Sequence, residues 1–449
     1  MKIQFRNGYL RLVVLLIIAI GLAGCTKTAT PAKENNSSTA APTKEGSSSE
    51  KVKLTIGHFW VDESGELFRK TLEEFRKENP NVDLVEEAIP HDPYRVKMTT
   101  LGASGDLPDL FVANGSMLID YIPKGYAGTF NEELDKDATW KGGFLPNSFD
   151  EFTTDGKIYG VPTAMFSVHV IYYNKDIFDK VGISSFPQTW DEFTAAIKKL
   201  KDNKYTPIAM GNKSNVPVGS VIFGTLADRF TGTDWFKAMK EHKAKFTDPD
   251  FVKALASLQD LAKMGAFNPD INSIDGTQAH TLYFNKQAAM IIDGAWEVND
   301  IVKNAPDDVK KATALAILPT VPGGKGNALA VAGGSGWSFG YNSKLTGTKK
   351  DAAIKLIKKL SSDAYGKQQI ENNGQPAVKV SNYDQSKLAP LAVDYFKLMS
   401  DKKYSPIYDI QLSPALVEAI YKGIQDLLIG GVTPEELAKK IQIVQDTQK

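Results

Sequence analysis

From Lys51 onward short apolar runs alternate with amphipathic stretches, and that rhythm leaves few architectures open. Val52, Leu54 and Ile56 mark a first strand by their alternation. Leu67, Phe68, Leu72 and Phe75 fall at helical spacing, and Asn79-Pro80 ends that helix. Val82 to Glu86 reads as a second strand, Tyr94 to Leu101 as a helix, and Asp109 to Ala113 as a third strand. This order predicts an α/β fold, a mostly parallel sheet with helices on both faces. No period of 20–50 residues repeats, which argues against a solenoid. Roughly 400 residues exceed what one core organises, so two lobes are expected.

The N-terminal end carries a different message. Lys2, Arg6 and Arg11 precede an apolar run from Leu12 to Ile20, the pattern of a secretory leader. Leu22-Ala23-Gly24-Cys25 then matches a lipobox, so residues 1–24 are expected to be removed and Cys25 to carry lipid. Cys25 is the only cysteine, so disulfides, thiolate nucleophiles and cysteine metal sites have no place in the folded part. Residues 25–50 hold no large apolar side chain and read as a disordered tether. Its ends would average roughly 25–30 Å apart.

The chain has 53 basic and 53 acidic residues, and loss of the three leader cations makes it slightly acidic. That balance argues against nucleic acid as a partner. No second apolar stretch of membrane-spanning length follows, so lipid on Cys25 is the expected membrane anchor.

The stretch from Ile158 to Glu192 is the most informative. Gly160 and Pro162 precede a run rich in Val, Ile and Tyr, from Val168 to Tyr173, with the composition of a buried strand. Thr189 and Glu192 then form a capping box at the start of a helix. The series Tyr-Tyr-Asn-Lys, Asp-Ile-Phe-Asp-Lys-Val-Gly-Ile and Pro-Gln-Thr-Trp-Asp-Glu-Phe resembles the signature of family 1 extracellular solute-binding proteins. That family includes carbohydrate-binding lipoproteins of ABC importers, similar to maltodextrin-binding proteins.

The resemblance implies a two-lobe, type II periplasmic-binding-protein-like fold with hinge crossings near Pro162, Ala316 to Pro319 and Asn342 to Leu345. Residues 51–162 with 316–343 would form the N-terminal lobe, and 163–315 with 344–449 the C-terminal lobe. Thr348 with Asp351 and Thr433 to Glu436 are expected to open helices in the C-terminal third. The implied function is oligosaccharide capture by hinge closure and delivery to ABC permease subunits, by a monomer on the outer face of the cell membrane.

Ligands of open α/β sheets bind beyond the carboxyl ends of strands. Those positions hold Phe59, Trp60, Asp62 and Glu63; Asn114, Gly115 and Ser116; Asn212; Asp293, Trp296 and Glu297; and Gly333, Gly334, Ser335 and Trp337. Sugars offer flat CH faces and dense hydroxyls, which suit aromatic platforms beside carboxylates and amides. The resemblance adds Met165, Ser167 and His169, where a carboxylate common in the family is absent. It also matches Trp296 to a sugar-stacking position. Trp190 and Trp235 lie in helix-like segments and are expected in the core.

Five histidines are scattered without ligand spacing, so no metal or other cofactor is expected. No nucleophile elbow or phosphate loop occurs. Asp62 with Glu63, or Asp293 with Glu297, could form a hydrolytic pair, so a surface-tethered polysaccharide hydrolase or lyase is the competing class. A same-fold receptor for a non-sugar solute, or one feeding a sensor kinase, is the third.

Overall fold

The computed structural model describes residues 51–62 and 65–448. The leader, Cys25, the tether and Glu63 lie outside the described residues.

The strands are β1 (Val52–His58), β2 (Val82–Ala88), β3 (Leu110–Ala113), β4 (Thr153–Thr154), β5 (Lys157–Ile158), β6 (Val161–Pro162), β7 (Phe166–Ser167) and β8 (Val170–Asn174). They continue with β9 (Thr206–Ala209), β10 (Ala288–Asp293), β11 (Thr313–Ala316), β12 (Ala330–Gly334), β13 (Ser338–Tyr341) and β14 (Lys403–Ser405).

One sheet runs β2-β1-β3-β13-β6 and a second runs β11-β8-β10-β9. A small sheet of β14-β12-β7 and the hairpin of β4 and β5 complete the set. The expected two-lobed α/β architecture is present, but the sheets are mixed rather than mostly parallel. β1 pairs parallel with β2 and β3, and β10 with β9. β13 runs antiparallel to β3 and β6, and β8 antiparallel to β10 and β11. β13 follows a crossing instead of a helical return within one lobe, which frees it from the parallel sense of a βαβ unit.

Each sheet buries its apolar face under helices. In the first lobe Leu54, Ile56, Phe111 and Val112 pack with Phe68, Leu72 and Phe75 from the helix Glu66–Glu78. In the second, Ile171 and Met290 pack with Phe193, Ile197 and Leu200 from the helix Trp190–Asp202. That helix starts with the expected Thr189–Glu192 capping box, and Thr433–Glu436 forms another. Thr348 lies inside the helix Gly347–Leu360, which starts one residue after its N-cap, Thr346. Trp190 and Trp235 pack against the second core, as expected.

Core membership traces the crossings. Val161 belongs to the first core and Val170 to the second lobe, so the chain leaves the first core between these two residues. The later two crossings lie elsewhere. Ala316, Leu318 and Val321 still pack in the second core, and the first core resumes only at Trp337. Leu345, the helix Gly347–Leu360, Tyr365 and Val378 also join the first core, and Leu391 begins the next stretch of the second lobe. Helical character alone gave no sign of which lobe the segment 345–378 covers.

Candidate functional site

The first lobe contributes aromatic rings just beyond β1. The Phe59 ring lies 4.5 Å from that of Trp337, 5.0 Å from Trp60 and 5.0 Å from His91. Trp60 leans inward on Phe68 at 4.6 Å, and Arg69 donates to its carbonyl oxygen. Phe59 and Trp60 are half-buried, and Trp337 is buried in the first-lobe core. Asp62 is exposed beside them.

The second lobe contributes Trp296, which is 45% exposed although it follows a strand buried from Ala288 to Ile292. Its loop is held from three sides. Ala295 N–H donates to the Ser167 carbonyl at 2.9 Å, Tyr172 Oη–H to the Gly294 carbonyl at 2.8 Å, and Gly294 N–H to Asp293 Oδ1 at 2.7 Å. The Trp296 ring meets Phe166 edge to face at 6.0 Å. An indole exposed on a braced loop loses little entropy when a ligand covers it.

The crossing segments join these two halves. Gly336 has φ +65°, and a Cβ there would collide with the Phe166 ring, so only glycine suits both the dihedral and the approach. Gly336 N–H donates to Glu151 Oε2 at 2.7 Å. Gly334 also abuts the Glu151 carboxylate, and Gly333 abuts Tyr404. Burial pushes the Glu151 carboxyl up to about 7, against the pull of the Gly336 N–H. Phe59, the buried Trp337 and Gly336, Phe166 and the exposed Trp296 thus form one continuous run of contacts.

A cavity of about 480 Å³ opens on the same junction. Met165, Gln375, Tyr383, Phe396 and Tyr404 line it, and a volume of that size accommodates a small organic ligand. Gln375 Oε1 accepts from Tyr395 at 3.0 Å and from Tyr404 at 3.3 Å, and Met165 N–H donates to the Gln375 carbonyl. The wall is apolar with a few fixed polar groups.

The lobes touch on both sides of this junction. Arg95, from the first-lobe helix His91–Ser104, pairs with Asp409 at 3.6 Å, and Ser220 donates to Asp409 at 3.2 Å. On the other side Asn299 donates to the Asn372 carbonyl and accepts from Asn373, each at 3.0 Å. Gly115 packs so closely on the Ile410 carbonyl that a Cβ would sit 2.5 Å from its oxygen.

Several expected residues serve the lobes instead. His169 is fully buried, its Nδ1 bonded to the Val221 carbonyl and its Nε2 accepting from Leu318 N–H. Asn212 is likewise buried and bonds Val218 N–H and Asn272. Neither has a polar atom left for a ligand. Asn114 caps the helix Gly115–Tyr121 through Met117 N–H, with Ser116 buried behind it. Ser167 bonds Tyr395, and Ser335 donates to the Ser148 carbonyl. Glu297 is fully buried beneath the Trp296 loop, next to His280 and Asp293.

Sequence reasoning missed Glu151, His91, Arg95, Tyr404 and Asp409. Glu151 and Arg95 lie in helical segments, Tyr404 lies within the short strand β14, and His91 and Asp409 follow β2 and β14 by a few residues; the crossings bring them to the junction. The positive-φ Gly336 was the one available signal, in the Gly-Gly-Ser-Gly run.

Known proteins share the family and the fold. A binding protein of Brucella abortus is 27% identical over 274 residues, 60% of this chain, and the chain spans 64% of that relative's length. A multiple sugar-binding protein of Streptococcus mutans is 24% identical over 365 residues, covering 80% of this chain and 83% of the relative. The solved structure of a chitin oligosaccharide binding protein is 28% identical, with a TM-score of 0.82 over 89% of this chain and 99% of that one. Residues 61–367 match the family described as bacterial extracellular solute-binding protein, and the chain belongs to that family.

Proposed function

We propose that the protein is a lipid-tethered receptor that captures an oligosaccharide between its lobes and presents it to the permease of an ABC importer. The observation that carries this reading is the run of contacts from Phe59 and the buried Trp337 through Gly336 to Phe166 and the exposed Trp296, drawn from both lobes and the crossings. Rings bind sugar CH faces, while Gln375, Tyr404 and the Glu151 region supply hydrogen bonds to hydroxyls. Relatives named for sugars and chitin oligosaccharides support the same solute class.

The mechanism is hinge closure. A solute touching both lobes stabilises the closed arrangement through contacts that the open one lacks. Nothing is chemically altered, and the protein acts as a monomer anchored through Cys25.

Titration calorimetry against chito-, xylo- and malto-oligosaccharides tests the assignment. Micromolar binding to one series, about −8 kcal/mol, is expected. Silence with every glycan, beside tight binding of a peptide or polyamine, would overturn it.

A further inference from the structure

Behind the Trp296 loop lie four ionisable side chains from three elements. His280 comes from the helix Gly276–Phe284, Asp293 from the end of β10, and Glu297 and Asp300 from one face of the helix Glu297–Asn304. His280 Nδ1 is 3.1 Å from Asp300 Oδ2 and 3.4 Å from Glu297 Oε2. Its Nε2 is 3.3 Å from Asp293 Oδ2. Glu297 is fully buried, and neither of its carboxylate oxygens has a hydrogen-bond partner. Its polar neighbours are the imidazole and the other two carboxylates. Three carboxylates around one imidazole leave negative charge that burial makes costly.

We propose that His280 Nδ1, Glu297 and Asp300 hold one divalent cation of zinc or manganese type, with Asp293 orienting the imidazole from behind. The division of the ring supports this. A metal-bound imidazole characteristically donates its other N–H to a carboxylate, the position Asp293 occupies. The separations fit as well. Donors 3.1 and 3.4 Å apart, each about 2.1 Å from a common ion, would subtend about 95° and 108°. One imidazole with carboxylates suits zinc or manganese better than calcium, which prefers oxygen alone. Asn304 binds Asp300 Oδ1 at 2.7 Å and leaves Oδ2 facing the site. Asp300 is partly exposed, which gives the ion an entry path and room for water. Sequence spacing concealed the group because its donors lie on separate elements.

The site stands apart from the solute assignment and is tested without any sugar. The full chain, stripped with a chelator, is titrated with Zn²⁺ and with Mn²⁺, and bound metal is counted by elemental analysis. One equivalent of at least one of these ions is expected, with a melting temperature raised by that metal and lowered again by chelator. Glu297→Gln and Asp300→Asn should each weaken binding about 100-fold or more. Asp293→Asn should weaken it about 10–100-fold, the range for an orienting carboxylate. Asp300 is partly exposed, so its variant remains informative if the Glu297 variant fails to fold. Absence of binding to both ions, or unchanged binding in the Asp300 variant, would overturn the proposal. So would identical melting of stripped and metal-treated wild type, the behaviour of a cluster that only shares protons.

Discussion

Trp296 and His169 are both polar-edged rings near the same crossing, and their surroundings give them opposite tasks. Trp296 is exposed on a loop fixed by main-chain bonds, so Trp296→Ala should weaken solute binding at least tenfold, about 1.4 kcal/mol, and barely move the melting temperature. Calorimetry with a melting curve on the same sample decides; a large stability loss would make the indole a packing residue. His169 has no exposure, and burial lowers its imidazole to about 4 despite the Val221 carbonyl bond. Its folded pKa is below the ordinary 6.5, so its contribution is complete above pH 6.5 and is lost as pH falls towards 4. The loss amounts to about 3 kcal/mol. His169→Gln should flatten the acid side of the stability–pH curve in that window, measured by urea unfolding. A ring flanked by Val168 and Val170 gives no sequence clue to this, because the same spacing serves a core histidine and a ligand contact equally. The exposed position of Trp296 was legible because a strand of unbroken apolar residues ends at Asp293-Gly294.

At the level of the element, local grammar was readable and partners were not. Capping boxes at Thr189 and Thr433 follow from side-chain chemistry within four residues. The lobe that each late helix covers depends on contacts hundreds of residues apart, such as Trp140 Nε1–H to Ser361 Oγ at 2.9 Å. The helix Gly115–Tyr121 shows both levels at once. Asn114 caps it in a way the sequence allows, yet Gly115 is required by Ile410 of the other lobe. Alanine suits the first turn of a helix, but at this position its Cβ would press on a backbone carbonyl across the junction. Gly115→Ala should therefore leave the melting temperature within a few degrees, while solute affinity falls and scattering shows a more open molecule. Unchanged affinity would mean that the Ile410 contact does not belong to the closed state.

For the whole molecule, the balance between open and closed lobes rests on few polar contacts. Asp409 is buried and receives both Arg95 and Ser220. Asp409→Asn removes the charge and keeps the shape, so a three- to tenfold loss of solute affinity is expected, about 0.7–1.4 kcal/mol. The loss should shrink as salt is raised in the wild-type comparison, because part of it is ionic. An equal affinity in the variant would show that the Arg95 pair does not bias closure.

The position of β13 has a consequence for how the polypeptide is made. It fills the gap between β3 and β6, although some 175 residues separate it from β6 in the chain. A ribosome that has released only the first 162 residues has thus produced a lobe missing one of its inner strands. Completion waits still longer, until Val378 has emerged, so the core of this lobe closes only after most of the chain has been made.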